Sequence, residues 1–383
     1  MISLASIEQC SGCTACKAAC PKQAISMVAD HEGFLRPQID AAKCVQCHAC
    51  ERACPVLHPS EPDTTPTCYV ARTKDEALRM VSSSGGLFTE LARPVLAKGG
   101  VVFGCVWEKP ALVAIHAKAE TEDELAAMRG SKYVQSDLRD TYREAKAELQ
   151  KGRAVLFSGT PCQIAGLNKY LGKSYDNLLT VEIICHGVPS PAVFEKYKQV
   201  LAEEFGTMPT EILFKDKRVS WYSPSLVAQF PFGEEKVEGA YTGGYGLAFL
   251  NGMSIRPSCF NCLAKEGRSG ADITLGDFWG IDLIKASQDN KKGVSCVLLH
   301  TKKAVELWNE IKTIEQFVVS YKSILKSNGS YWESSERNKN RAKFFREYHA
   351  KGIAGCDTKK HTFIMKVLKG VVRNVRIYLK CIG

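Results

Sequence analysis

Two cysteine runs near the N-terminus constrain this chain more than anything else in it. The first reads Cys10-Ser-Gly-Cys13-Thr-Ala-Cys16-Lys-Ala-Ala-Cys20-Pro21, the second Cys44-Val-Gln-Cys47-His-Ala-Cys50-Glu-Arg-Ala-Cys54-Pro55. The shared spacing, C-x2-C-x2-C-x3-C-P, is that of bacterial two-cluster iron–sulfur proteins. Three thiolates on a tight loop hold three corners of a 4Fe-4S cubane, and the fourth cysteine reaches the other cluster. That rule assigns Cys10, Cys13, Cys16 and Cys54 to one cluster, and Cys44, Cys47, Cys50 and Cys20 to the second. Zinc sites favour paired C-x2-C halves instead, and a disulfide framework needs an oxidising compartment. Between the runs, residues 24–29 and 34–39 read as two short strands around the turn Asp30-His31-Glu32-Gly33.

Length and composition bound the rest of the chain. At about 150 residues per domain, 383 residues suggest two or three domains, and 45% hydrophobic with 24% charged residues is ordinary for a globular protein. The start, Met1-Ile-Ser-Leu-Ala-Ser-Ile-Glu8, has neither the basic end nor the apolar stretch of a signal peptide. No apolar run approaches the ~18 residues of a membrane span. These features predict a cytoplasmic protein. The net charge is +10, of which Lys359, Lys360, Lys366, Lys369, Arg373, Arg376 and Lys380 supply +7 with no acid among residues 358–383. The remainder is nearly balanced and carries no recognisable nucleic-acid motif, so no nucleic-acid partner is expected.

Beyond the cysteine runs, Pro59, Pro62 and Pro66 among acids and hydroxyls mark a linker. After a strand at 68–72, Ser83-Ser84-Gly85-Gly86 precedes an apolar helical pattern. A Ser/Gly turn opening a helix presents N–H groups and the positive dipole end to a phosphate; an ordinary N-cap at Ser84 is the plainer reading. Residues 99–107 read as a buried strand with its hairpin partner at 112–118, and Thr121 as the cap of a helix rich in first-turn acids. Arg129-Gly-Ser-Lys132-Tyr-Val-Gln-Ser136 is a ligand loop or a solvated connection, and 137–150 an amphipathic helix. Two strands then end in Gly-Thr-Pro-Cys162 and Cys185-His186, the place where α/β folds gather sites. Alternating strands and helices predict an α/β core. Cys162, Cys185, Cys259 and Cys262 are the number of thiols one more cubane needs. Buried apolar cysteines, or a lone C-x2-C pair for zinc or redox work, account for them equally in kind.

Taken together, Ser83 to Gly86, Gly130 to Ser136, Gly159-Thr-Pro-Cys-Gln163, Cys185-His-Gly-Val-Pro-Ser190, Cys259-x2-Cys262 and Ala271-Asp-Ile-Thr-Leu-Gly-Asp277-Phe-Trp279-Gly280 resemble the coenzyme F420 hydrogenase/dehydrogenase beta-subunit family. The resemblance covers roughly residues 65 to 310, and a fused two-cluster half is common there. It implies an iron–sulfur flavoprotein with an α+β ferredoxin-like module and an α/β flavoprotein core with a mixed sheet; the C-terminal helical tail, read from residue spacing, is not part of the family core. The corresponding divisions are 1–60, a linker at 61–67, an N-terminal family region at 68–150, a C-terminal region with flavin and cluster at 151–330, and a basic tail at 331–383. It further implies FAD, and a third cluster on Cys162, Cys185, Cys259 and Cys262.

On that reading Ser83, Ser84, Gly85 and Gly86 hold flavin phosphate, Arg129 and Lys132 neutralise phosphate or the reduced flavin, and Asp277 and Trp279 line the pocket. A turn-capping Asp and a core Trp are the plainer roles for the last two, as a structural role is for His186. No residue is identified as catalytic. The expected activity is ferredoxin-linked or coenzyme F420-type oxidoreduction, with electrons passing from the two N-terminal clusters through the core cluster to FAD and on to an unidentified small acceptor or carrier. The alternative is an electron-relay subunit without substrate chemistry. The expected partner is an electron donor such as ferredoxin or another redox subunit. In the tail, Lys366, Lys369, Arg373, Arg376 and Lys380 recur at helical spacing opposite Phe363, Val367, Val371, Val375 and Leu379. That pattern suits the inner face of an anionic membrane, a packed helix or a partner's acidic groove.

Overall fold

The computed structural model describes residues 2–63, 65–281 and 291–351. The N-terminal module pairs β1 (Ile25–Ala29) with β2 (Leu35–Ile39) antiparallel. Two short helices, Ala15–Ala19 and Ala49–Arg52, carry the third cysteine of each triplet, Cys16 and Cys50, and each begins after a residue in the left-handed region, Thr14 and His48. The sequence repeat is thus also a backbone repeat.

Eight strands form the main sheet. β3 (Thr67–Thr73), β4 (Val101–Glu108), β5 (Val113–Ala119), β6 (Val155–Gly159) and β7 (Leu178–Ile183) precede a three-stranded antiparallel sheet of β8 (Glu211–Asp216), β9 (Ser225–Gln229) and β10 (Glu235–Gly239). β11 (Ile273–Asp277), β12 (Ser295–Leu299) and β13 (Ile314–Val318) complete the large sheet in the order β13-β3-β12-β11-β7-β6-β4-β5. Its centre is parallel: β4 with β6, β6 with β7, and β7 with β11. The flanks are antiparallel, so the sheet is mixed. β6 and β7 are largely apolar, with buried Thr180 and Glu182 in β7, because both faces of these central parallel strands are covered. The parallel strands β6, β7 and β11 end at Gly159, Ile183 and Asp277, so that the residues following them share one edge.

Helix boundaries follow local chemistry. Thr121 and Glu124 form a capping box on Glu122–Met128. Pro161 opens Pro161–Leu171, where the Thr160 N–H donates to Gln163 Oε1 at 2.9 Å, and Pro191 opens Pro191–Phe205 behind the Ser190 cap. The helix expected from residue 137 begins only at Thr141, because Asp137 bridges to Ile115 and Arg139 has a left-handed backbone.

The N-terminal module is sewn onto the core. Cys13, Ala15 and Ala53 belong to the hydrophobic cluster beneath β4 and β6, and Phe34 to the cluster around Phe194 and Tyr245. Arg143 donates to the carbonyls of Ala18, Lys17 and Cys20. The segment expected as the start of a basic tail, from residue 331, is anchored at Tyr331, Arg341, Phe344 and Phe345, which are buried. Arg341 forms a two-pronged ion pair with Glu32 of the N-terminal module. Apolar burial and a buried carboxylate partner fix this segment, which sequence charge alone did not show. The basic stretch from Thr358 onward lies outside the described residues. Among the described residues, no helix is long and apolar enough to cross a membrane.

Candidate electron-transfer site

The eight N-terminal thiols fall into two groups, each around its own small hollow of about 20 Å³. Cys10, Cys13, Cys16 and Cys54 line one; Cys20, Cys44, Cys47 and Cys50 line the other. These are the two crossed sets that the spacing predicts. Burial and neighbouring thiols push Cys16 up to about 12. Thiols packed this closely resist ionisation, and cationic iron, which takes the thiolate as ligand, reverses that cost.

A third group lines a cavity of about 410 Å³ between the module and the sheet edge. Cys162, Cys185, Cys259 and Cys262 all face it, with Ser11, Pro55, Val56 and His58 supplying the opposite wall. Cys162 enters from the first turn of the helix after β6, and Cys185 from the loop after β7. Cys259 and Cys262 come from the 3-10 turn Pro257–Asn261 and its end. Backbone pairing brings the last two segments together. The Ser190 N–H donates to Ser254 O at 2.9 Å and the Arg256 N–H to Val188 O at 3.0 Å. Gly187 permits the approach, because a Cβ there would stand 3.0 Å from Ile255 Cδ1 and 3.4 Å from Cys259 Cβ. Burial, then the neighbouring Cys262 thiol, lifts Cys162 to about 11; the same two causes lift Cys259 to about 12. Among the described residues, no three His, Cys, Asp or Glu side chains converge on a single-ion site. Four thiols spread around one cavity fit a cubane donor set.

Two residues connect this cavity to the nearer hollow. Gly166, one helical turn beyond Cys162, lies against Cys13: a Cβ at Gly166 would sit 2.9 Å from Cys13 Sγ. Arg256 is fully buried between the two groups. Its guanidinium donates to Cys10 O at 2.7 Å, Leu35 O at 2.8 Å and Gln135 Oε1 at 2.8 Å. Arg256 was not singled out by sequence, although it stands three residues before Cys259.

The residues expected around a flavin gather at the same sheet edge but not in one shell. Ser83 and Ser131 bring the Ser83–Gly86 turn and the Gly130–Ser136 loop together, with Oγ atoms 2.8 Å apart and the Ser131 N–H donating to Ser83 Oγ at 2.7 Å. Ser84 does not cap the following helix; its hydroxyl donates to Val294 O at 3.0 Å. The helix Leu87–Ala97 starts from Gly86, at φ 83°, with no side chain on its first N–H groups. Gly85 serves packing, since a Cβ there would stand 2.7 Å from Ala71 O.

Arg129 donates to Glu122 Oε1 at 2.5 Å and to Thr89 Oγ1 at 3.2 Å, and Arg93 donates to the same carboxylate oxygen. Lys132 donates to the carbonyls of Ala127, Arg129 and Gly130, and burial lowers its pKa. Asp277 bonds Lys215 Nζ at 2.5 Å and the Trp221 indole N–H at 2.9 Å. Trp279 stacks on Trp221 with ring centroids 4.7 Å apart. Lys217, two residues on, donates to the carbonyls of Arg79, Ser84 and Lys292, tying the Ser83–Gly86 turn to this group, and burial brings it down to about 7. The alternation Lys215-Asp216-Lys217 at a strand end was the available signal for these two lysines. His186, beside Cys185, packs edge-on against Phe249, and its carbonyl accepts from Ser335.

Comparison with known proteins adds three matches. Residues 9–57 match the 4Fe-4S dicluster domain. Residues 68–141 match the N-terminal part of the coenzyme F420 hydrogenase/dehydrogenase beta subunit, and residues 152–323 match its C-terminal part. Among solved structures, one similar chain is from the xenon-derivatized F420-reducing [NiFe] hydrogenase complex of Methanosarcina barkeri. It is 18% identical, with a TM-score of 0.45 over 68% of this chain and 83% of that one. No curated protein matches the chain.

Proposed function

From a chain that belongs to the coenzyme F420 hydrogenase/dehydrogenase beta-subunit family and carries a 4Fe-4S dicluster domain, we propose an iron–sulfur flavoprotein oxidoreductase that passes electrons from its N-terminal clusters to the core and on to a substrate or carrier. The observation carrying this reading is the third thiol group. Cys162, Cys185, Cys259 and Cys262 line one cavity whose far wall is the N-terminal module itself. These four residues hold a third cubane, and Cys10, Cys13, Cys16, Cys54 and Cys20, Cys44, Cys47, Cys50 hold the other two. When bound, such clusters supply one-electron transfer.

FAD is proposed for the neighbouring group. The buried helix start at Gly86, without a side-chain cap, is a helix end that still calls for an acceptor. Ser83, Ser84 and Gly86 would hold phosphate there, with Lys132 beside them and Asp277 and Trp279 at the pocket wall. When bound, FAD would convert single electrons into a hydride. The chain's own part is to hold position and charge: Lys215 fixes Asp277, Lys217 fixes the Ser84 carbonyl, and Arg256 bridges the module to the core. The electron donor is a ferredoxin or another redox subunit. From its sequence alone, the basic segment beyond Thr358 is assigned to an anionic membrane surface.

The test is anaerobic purification followed by cofactor extraction, reduction by dithionite or ferredoxin, and a panel of acceptors that includes coenzyme F420. The expected outcome is one releasable FAD that bleaches on reduction. If neither native nor reconstituted protein binds flavin, the flavoprotein reading fails. Reduction without turnover of any small acceptor, restored only by a partner subunit, would favour the relay alternative.

A further inference from the structure

One hydrogen-bond chain runs from the partly exposed Asp63 inward to the buried Glu182 and has no part in the function described so far. Asp63, in the linker, is about one-third exposed at the side chain, and its Oδ2 lies 2.6 Å from His300 Nδ1. His300 Nε2 lies 2.8 Å from Thr274 Oγ1, and Thr274 Oγ1 lies 2.7 Å from Glu182 Oε1. Thr274 and Glu182 are register partners on β11 and β7, so the sheet itself sets their spacing. Glu182 is 1% exposed, and its second oxygen, Oε2, makes no hydrogen bond of good geometry among the described residues. Ser269 and Lys265, polar neighbours of the Glu182 carboxyl, line the cavity.

We propose that Asp63, His300, Thr274 and Glu182 form a proton relay that loads one proton from water onto Glu182, beside the cavity-lining residues Ser269 and Lys265, for each electron that reaches the core thiol site. The purpose of the relay rests on the proposed function; its proton chemistry does not.

The hydrogen count supports a relay over a static brace. Thr274 has one hydroxyl hydrogen and two close partners. With Glu182 ionised, the hydroxyl donates to Glu182 Oε1, and His300 must donate from Nε2 while also donating from Nδ1 to Asp63. His300 is then an imidazolium. With Glu182 protonated, its O–H donates to Thr274 Oγ1, the hydroxyl donates to His300 Nε2, and a neutral His300 donates from Nδ1 to Asp63. Both arrangements hold the same number of protons. They interconvert when the Nε2 proton moves to Thr274 Oγ1 as the Thr274 proton moves to Glu182. Net uptake starts from the form with one proton fewer, in which Glu182 is ionised and a neutral His300 carries its hydrogen on Nε2. A proton from water reaches the vacant Nδ1 past Asp63. The resulting imidazolium hands its Nε2 proton to Thr274 as the Thr274 proton moves to Glu182, and one proton has been taken up for the one electron supplied by a low-potential donor.

Burial raises the Glu182 carboxyl above its ordinary range, while the Ser269 and Thr274 hydroxyls, His300 and Lys265 pull it the other way. Tyr331 also faces Glu182 and Asp63, and Tyr321 and Cys68 face Asp63. The hydrogen-bonded connection from Glu182 to the surface runs through Thr274 and His300 rather than through these neighbours.

The experiment is infrared difference spectroscopy on the full-length protein, stepped in pH and on dithionite reduction, in H2O and in D2O. The expected result is a protonated-carboxyl band that grows on reduction, shifts in D2O and is absent in Glu182→Gln. In Thr274→Val, which keeps size and both chain ends, the band should form at least tenfold more slowly. In parallel, the potential of the core site should fall with pH in the wild type and lose that slope in Glu182→Gln. A tenfold change in proton concentration converts to about 59 mV for a one-electron couple. A merely structural network would lower the stability of Thr274→Val and leave the rate of band formation unchanged, which would overturn the proposal, as would the absence of any carboxyl band in the wild type. Iron analysis on the same samples keeps the two readings apart: too little iron for a core cluster defeats the proposed function, while the band and its rate still decide the relay.

Discussion

In the N-terminal module, Cys10, Cys13 and Cys16 stand within seven consecutive residues, a loop and the start of the helix Ala15–Ala19, and only Cys54 arrives from elsewhere, around a hollow of about 20 Å³. Around the larger cavity, of about 410 Å³, Cys162 and Cys185 follow separate strands and Cys259 and Cys262 come from a third segment. The small hollows are written into local spacing, so a tight turn is enough to build most of each. The large cavity exists only once β6, β7 and the segment around Arg256 have been assembled, and the module must dock to close its far wall. The first kind of site should survive damage to the core; the second should not survive loss of docking.

The largest expected effect separates the two small hollows from each other. Cys54→Ser should cost about four irons, one cubane's worth, and should silence the cluster of the Cys10 triplet although Cys54 belongs to the second run. Iron analysis with electron paramagnetic resonance of single-triplet variants reads this directly. Loss of the Cys44 triplet's signal instead would mean that the crossed grouping is wrong.

Docking comes next. Arg256→Ala leaves the carbonyls of Cys10 and Leu35 without their buried donor, and each such group costs about 1–3 kcal/mol. Stability should fall by roughly 3 kcal/mol or more, measured as a urea midpoint. The core cavity should lose its iron before the small hollows do. Arg256→Lys should recover only part, since an ammonium cannot reach all three acceptors in the guanidinium's plane. A variant in which core and module lose iron together would erase the distinction between the two kinds of site.

A smaller, pH-dependent effect belongs to the core alone. His116 is buried, with Nε2 on Ser158 O at 3.0 Å and Nδ1 on the Ser136 hydroxyl, which in turn accepts from Gln163 beside Cys162. Burial pulls its pKa down from 6.5 to about 4. The unfolded chain therefore takes up the proton first, and stability falls as pH drops from about 6.5 to 4. At about 1.36 kcal/mol per pH unit, the loss is on the order of 3 kcal/mol. His116→Gln should flatten that fall in urea midpoints between pH 7 and 4.5. An unchanged slope would place the acid sensitivity elsewhere.

How far the sequence could be read follows the same division. The two triplets, the strands at 155–159 and 178–183 and the Thr121 cap depend on neighbours within a few residues, and they were legible. So was the position of Cys162 and Cys185 just past strand ends. Arg256 with Cys10, Lys215 with Asp277, Glu32 with Arg341 and Asp63 with His300 are pairs separated by 246, 62, 309 and 237 residues. No periodicity encodes such partners, because each is chosen by the fold after the sheet order is set. Arg129 shows the converse. Its loop looked suited to an anion, but Glu122 at the start of the adjoining helix is the anion it meets. A helical or charged pattern names a face and leaves open what covers it, which is why a segment that reads as tail buries Tyr331, Arg341, Phe344 and Phe345.

The central claim is that the core thiols hold a third cluster built by tertiary assembly. Iron and acid-labile sulfide per chain, measured on anaerobically purified wild type and on Cys162→Ser, test it most directly. Three cubanes predict about twelve irons in the wild type and about eight in the variant, with both N-terminal signals intact. About eight irons in each protein would contradict it.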